Sequence, residues 1–121
     1  MVVKRKKMTF PESRIQGSAV AEIKLRYPRI VFWHVPNGGR RSFRDAQRFK
    51  LMGVRPGVAD LFFLRAAQGY YGLFLEVKAS RGRLSEDQLL FESECIDEGY
   101  LYMCCDSVQS ILTAVRWYYG L

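Results

Sequence analysis

Helical and strand-like periodicities alternate along this chain. Thr9-Phe10-Pro11-Glu12 carries a helix start: a Thr cap, a Pro in the first turn and a Glu three residues after the cap. From there Glu12, Ile15, Gln16, Ala19, Val20 and Ile23 fall on one stripe, apolar except where Glu12 and Gln16 sit, and Tyr27-Pro28 closes the helix. Ile30 to Val35 reads as a strand and Pro36-Asn37-Gly38-Gly39 as a turn. Arg40 to Lys50 is expected as a short helix, with Arg41, Arg44 and Arg48 on one stripe and Phe43, Ala46 and Leu51 as anchors. Gly53 and Pro56-Gly57 break it. Asp60 to Leu64 and Tyr70 to Ala79 read as a hairpin around Gln68-Gly69. Ser85-Glu86-Asp87-Gln88 opens a helix that runs to about Glu98, with Gln88, Phe91 and Cys95 on one face. Tyr100 to Cys105 is the last strand, and Asp106 or Ser107 caps a final helix with Val108, Ile111, Leu112 and Val115 inward. The expected order is α-β-(α)-β-β-α-β-α: one α/β domain over residues 9–121, its mixed central sheet flanked by helices, behind a frayed basic tail over residues 1–8.

One strand breaks its own pattern. In Leu73-Phe74-Leu75-Glu76-Val77-Lys78-Ala79 the residues Leu73, Leu75 and Val77 share a face, and Glu76 and Lys78 share the other, about 7 Å apart along the strand. Either charge buried alone would cost several kcal/mol, so the pair is an internal ion pair, an edge with one wet face, or part of a site. Asp60, on the partner strand, has the parity of Phe62 and Leu64, so the hairpin can hold it beside Glu76. Two adjacent carboxylates repel unless a cation neutralises them or one keeps its proton. Hard oxygen ligands that leave positions for water and phosphate suit Mg²⁺ or Mn²⁺. Singly, each residue has a plain role: Glu12 and Gln88 complete capping boxes, Asp60 starts a strand, and Lys78 pairs with Glu76.

Charge adds a partner class. All but one of the 19 Lys and Arg precede Leu84, whereas seven of the 12 Asp and Glu follow it. Such segregation fits a basic face against a polyanion and an acidic face turned from it. The stripe Arg41, Arg44 and Arg48, and the loop residues Arg81 and Arg83, belong to the basic part. The bare amides of Asn37-Gly38-Gly39 beside Arg40 suit a phosphate or simply a turn. Three cysteines, two of them adjacent, supply neither a disulfide framework nor metal spacing and read as reduced core residues of a cytoplasmic protein. No apolar run reaches the length of a membrane span, so no membrane partner is expected. His34, the single histidine, reads as a strand-end or DNA-contacting residue rather than a metal ligand.

The residues together resemble a known family. Asp60 followed by Glu76-Val77-Lys78 within an α-β-β-β-α-β core looks like the PD-(D/E)XK nuclease superfamily. The flanks resemble its virus-type replication-repair nuclease (VRR-NUC) branch: Glu12-Ser-Arg-Ile-Gln16, His34-Val-Pro-Asn-Gly-Gly-Arg40, Gly53-Val-x-x-Gly-x-x-Asp60, and Glu76-Val-Lys-Ala with Gly82-Arg-Leu-Ser-x-x-Gln88. The likeness spans about residues 11–119. Ala59 stands where the family usually has Pro, which removes some stiffness from the approach but no ligand. The resemblance implies a restriction-endonuclease-like fold. It also implies a metal site of Asp60, Glu76 and the Val77 carbonyl, joined by Glu12 directly or through water. Lys78 would be the catalytic lysine and Gln88 a supporting residue. The activity implied is Mg²⁺- or Mn²⁺-dependent hydrolysis of DNA phosphodiesters, associated with homodimers and with branched DNA such as flaps and four-way junctions in replication and repair. A DNA-binding protein of this fold without catalysis is the other reading.

Overall fold

The computed structural model describes residues 2–4, 8–36, 40–79 and 82–121, with no side-chain placement for 2–4, 40 and 41. A four-stranded sheet of order β2-β4-β5-β6 forms its centre, from β2 (Phe32–His34), β4 (Leu61–Phe63), β5 (Leu73–Val77) and β6 (Leu101–Cys105). β2 with β4 and β4 with β5 run antiparallel, and β5 with β6 runs parallel through the crossover helix α3 (Glu86–Asp97). The helices α1 (Phe10–Arg26) and α4 (Val108–Tyr119) pack together on the opposite face.

Period-2 alternation decides which residues meet which helix. Leu61, Phe63, Leu73, Leu75, Val77 and Cys105 face α1 and α4, where Ala19, Ile23, Ile111, Ala114, Val115 and Tyr118 complete a buried core. Phe62, Phe74 and Tyr102 point the other way, toward Phe91 and Cys95 of α3. Each sheet face thus has its own apolar cluster. Asp60, just before β4, and Glu76 of β5 fall on the α3 side, at the sheet end where that cluster runs out.

Caps set the helix starts. Thr9, Ser85 and Ser107 each form a capping box, with Glu12, Gln88 and Ser110 as the third residues. The hairpin is tighter than its sequence suggests: Ala67 and Tyr70 exchange backbone bonds around Gln68 and Gly69, both at positive φ, and β5 starts only at Leu73. Among the described residues no helix is long and apolar enough to cross a membrane.

The basic region departs further from expectation. Within the stretch expected as a frayed tail, Val2–Lys4 form β1, antiparallel to β3 (Arg40–Ser42), while residues 1 and 5–7 lie outside the described residues. The helix expected from Arg40 begins at Phe43, because the Ser42 hydroxyl accepts from the Asp45 amide and caps it; α2 is Phe43–Leu51. Arg41 therefore lies on a strand, and only Arg44 and Arg48 share the helical stripe. Of the expected anchors Ala46 is buried, whereas Phe43 is partly exposed and Leu51 is 90% exposed.

Candidate active site

Asp60 enters β4 from a loop that glycine makes possible. Gly57 has φ +89° and lies so close to α3 that a Cβ would meet the Asp87 backbone at 2.5 Å. Ala59, fully buried against Cys95 and Tyr102, seats the next turn of chain. Continuing the β4–β5 register by one step from Leu61↔Leu75 sets Asp60 opposite Glu76. Asp60 is then held at both ends: its Oδ2 accepts from the Val77 amide at 2.8 Å, and its carbonyl accepts from the Val35 amide at 2.8 Å. The Val77 amide points to the β4 side, and in an extended strand the same residue's carbonyl turns that way too.

Glu76 and Lys78 are only 3% and 6% exposed. Glu76 Oε2 accepts from Gln88 Nε2 at 3.1 Å and lies 3.8 Å from Lys78 Nζ. Its Oε1 is buried with no donor among the described residues. Burial and the neighbouring Asp60 charge push Glu76 up to about 9. Burial also raises Asp60, against the Val77 amide bond that favours its ionised form. In the metal-free protein the two carboxylates thus share a proton at neutral pH.

Gln88 joins two functions, since its Oε1 accepts from the Ser85 amide at 2.8 Å while its Nε2 reaches Glu76. Glu12 does likewise: Oε1 accepts from the Thr9 amide at 3.0 Å and Oε2 from the Ala79 amide at 3.0 Å. Burial alone would raise Glu12, but these bonds and the Lys78 charge lower it. Glu12 therefore clamps the end of β5 one residue beyond Lys78. The Gly82 amide donates to the Ala79 carbonyl at 2.8 Å, and a Cβ on Gly82 would meet that carbonyl at 2.9 Å.

Among the described residues no three His, Cys, Asp or Glu side chains form a metal cage. Two carboxylates, a buried oxygen without a donor and a strand-end carbonyl nevertheless fit a hard divalent cation that keeps positions for water and phosphate. Cys104 is a correction to the core reading of the cysteines: it is exposed, and it pairs in register with Glu76, so it lies on the same sheet face. Although the residue is exposed, partial desolvation of its sulfur at the sheet and the nearby Glu76 raise its thiol to about 11, which keeps it protonated in the metal-free protein.

Of the basic residues, Arg44, Arg48 and Arg83 are exposed. Arg48 makes a distant ion pair with Asp45, at 3.9 Å, and its guanidinium lies over the Phe49 ring, 5.4 Å from the centroid. Asn37, Gly38, Gly39 and Arg81 lie outside the described residues, as do the side chains of Arg40 and Arg41. A cavity of about 540 Å³ opens farther along α3, lined by Phe62, Phe74, Phe91, Cys95 and Tyr100 with Arg55 and Glu94 at hand; it holds none of Glu12, Asp60, Glu76, Lys78 and Gln88. The sequence reading passed over His34 and Gln16 as parts of the site. The signal was a glutamine on a stripe otherwise apolar from Ile15 onward.

The fold recurs in a solved structure described as a VRR_NUC domain protein. It superposes with a TM-score of 0.79 at 22% identity, covering 93% of this chain and 91% of that one, which makes the fold the same. No curated protein matches the chain significantly. The VRR-NUC domain profile matches residues 11–109, a span that runs from the Glu12 clamp past Gln88 to the start of α4. The chain belongs to the VRR-NUC family of nuclease-type domains, and its mixed sheet between helices is consistent with a PD-(D/E)XK-like core.

Proposed function

We propose that the protein is a Mg²⁺- or Mn²⁺-dependent DNA endonuclease. The observation that carries this reading is the meeting of Asp60 and Glu76 across adjacent strands, with Lys78 and Gln88 on the same buried carboxylate. Asp60, Glu76 and the Val77 carbonyl would hold the cation, which when bound supplies an activated water and neutralises charge on the scissile phosphate. Lys78, whose neighbour is Glu76, stands where it can orient that water and stabilise the developing negative charge. Gln88 fixes the Glu76 rotamer, and Glu12 fixes the strand end that carries Lys78. Arg44, Arg48 and Arg83 grip the DNA backbone, together with Arg40, Arg41, Arg81 and the amides of Asn37, Gly38 and Gly39.

The substrate we propose is branched DNA, a flap or a four-way junction, cut in the cytoplasm during replication or repair. A homodimer would set two centres about a two-fold axis, matching a junction's own symmetry. Labelled duplex, single strand, flap and four-way junction, each with Mg²⁺, Mn²⁺ or chelator, test the reading. Metal-dependent cutting of the branched substrates, absent in Asp60→Asn, is expected. Binding without cleavage of any of them would favour a DNA-binding module of nuclease fold.

A further inference from the structure

Asp60 has a third attachment, and it begins on α1. The Gln16 side chain, 8% exposed, brings its amide within 2.9 Å of His34 Nδ1. The same ring nitrogen lies 2.9 Å from the Asp60 carbonyl oxygen. A carbonyl only accepts, so Nδ1 carries the hydrogen; Gln16 Nε2 is the atom at 2.9 Å and Gln16 Oε1 is buried without a donor among the described residues, so turning that side-chain amide over sets its oxygen on the N–H, which it then shares with the Asp60 carbonyl. Helix α1, β2 and the start of β4 are thereby joined in one line ending on the residue that presents the Asp60 carboxylate. We propose that Gln16 and His34 are positioning residues that set where Asp60 stands, acting through Nδ1 and not through the ring's outer nitrogen. This rests on the reading of Asp60 as a metal ligand. Neither residue touches the ion or the substrate; they act as outer partners that orient a ligand.

Asn places an amide nitrogen where Nδ1 stands, and Gln places one where Nε2 stands, so two substitutions separate the ring's two ends. Mn²⁺ binding to the DNA-free protein is measured by calorimetry for the wild type, His34→Asn, His34→Gln, His34→Ala, Gln16→Met and Asp60→Asn, with thermal melts beside each. His34→Gln, His34→Ala and Gln16→Met should each weaken Mn²⁺ binding about tenfold. His34→Asn should stay within about threefold of the wild type, and junction binding in Ca²⁺ should be unchanged throughout. If His34→Gln keeps Mn²⁺ affinity while His34→Asn loses it, or if His34→Ala binds Mn²⁺ as the wild type does, the relay is overturned. A wild type that binds no Mn²⁺, or binds it equally with Asp60→Asn, would overturn the metal reading and the relay with it. Gln16→Met keeps the bulk of a buried side chain, so its melt separates loss of packing from loss of the bond.

Discussion

The central sheet and the β1–β3–α2 unit solve opposite problems with charge. In the sheet, Glu76 and Lys78 are almost fully buried, and each carboxylate of the site has named partners: Val77, Gln88, Thr9 and Ala79. In α2 only Ala46 is buried, while Arg44 and Arg48 project into solvent. Burial raises the free energy of charges that lack a counter-ion, which primes a site for one. Exposure leaves charges free to track a polyanion at little desolvation cost. On the proposed function, one region serves chemistry and the other grip, and substitutions in the two should fail differently.

The largest separation should come from the carboxylates. Asp60→Asn and Glu76→Gln should each lower single-turnover cleavage by at least about a thousandfold with junction affinity within about threefold, as read by gel cleavage and fluorescence anisotropy. Near-normal cleavage by either variant would dissolve the contrast. Lys78→Met comes next, with cleavage at least about a hundredfold slower at unchanged Mn²⁺ affinity. Were Lys78 only a partner of Glu76, the melt would instead fall by about 3 kcal/mol with turnover per folded molecule kept.

In the basic unit, Arg44→Ala with Arg48→Ala should weaken binding alike for all DNA sequences. The slope of log K against log salt should flatten by about 0.9 per lost contact. An unchanged slope takes α2 out of the interface. The smallest effect concerns pH. Glu76 has a folded value of about 9, above its unfolded value. The folded state therefore holds that proton more tightly, and the stability this gives is complete below about pH 4 and lost as pH rises through about 9. In chelator, the wild type should melt lower at pH 8.5 than at pH 6. Glu76→Gln should remove much of that slope and melt a few degrees higher at pH 8.5. Equal slopes for the two proteins would mean that the buried dyad is not what stores the proton.

How much of this could be read from residues follows from the range of the forces involved. Capping boxes at Thr9 and Ser85, the parity of Asp60 with Phe62 and the pairing of Glu76 with Lys78 are local, and the sequence displays them directly. Ser42 as a cap is hidden inside a run that also reads as helix, so the helical stripe expected through Arg41 reaches one element too far. That Glu12 and Gln88 each serve a cap and the site at once needed tertiary contacts, since one oxygen or nitrogen answers to the helix and the other to a strand. Gln16 and His34 are 18 residues apart, and no periodicity relates them.

The bond from the Ala79 amide to Glu12 closes a separation of 67 residues, and those joining Asp60 to Val77 and His34 to Asp60 close 17 and 26. Closures of this range come late in folding, after the entropy of the intervening chain has been lost. A partly collapsed or nascent chain therefore carries the acids and the lysine without their arrangement. For a protein whose proposed chemistry cuts nucleic acid, hydrolysis is withheld from every conformation except the completed one.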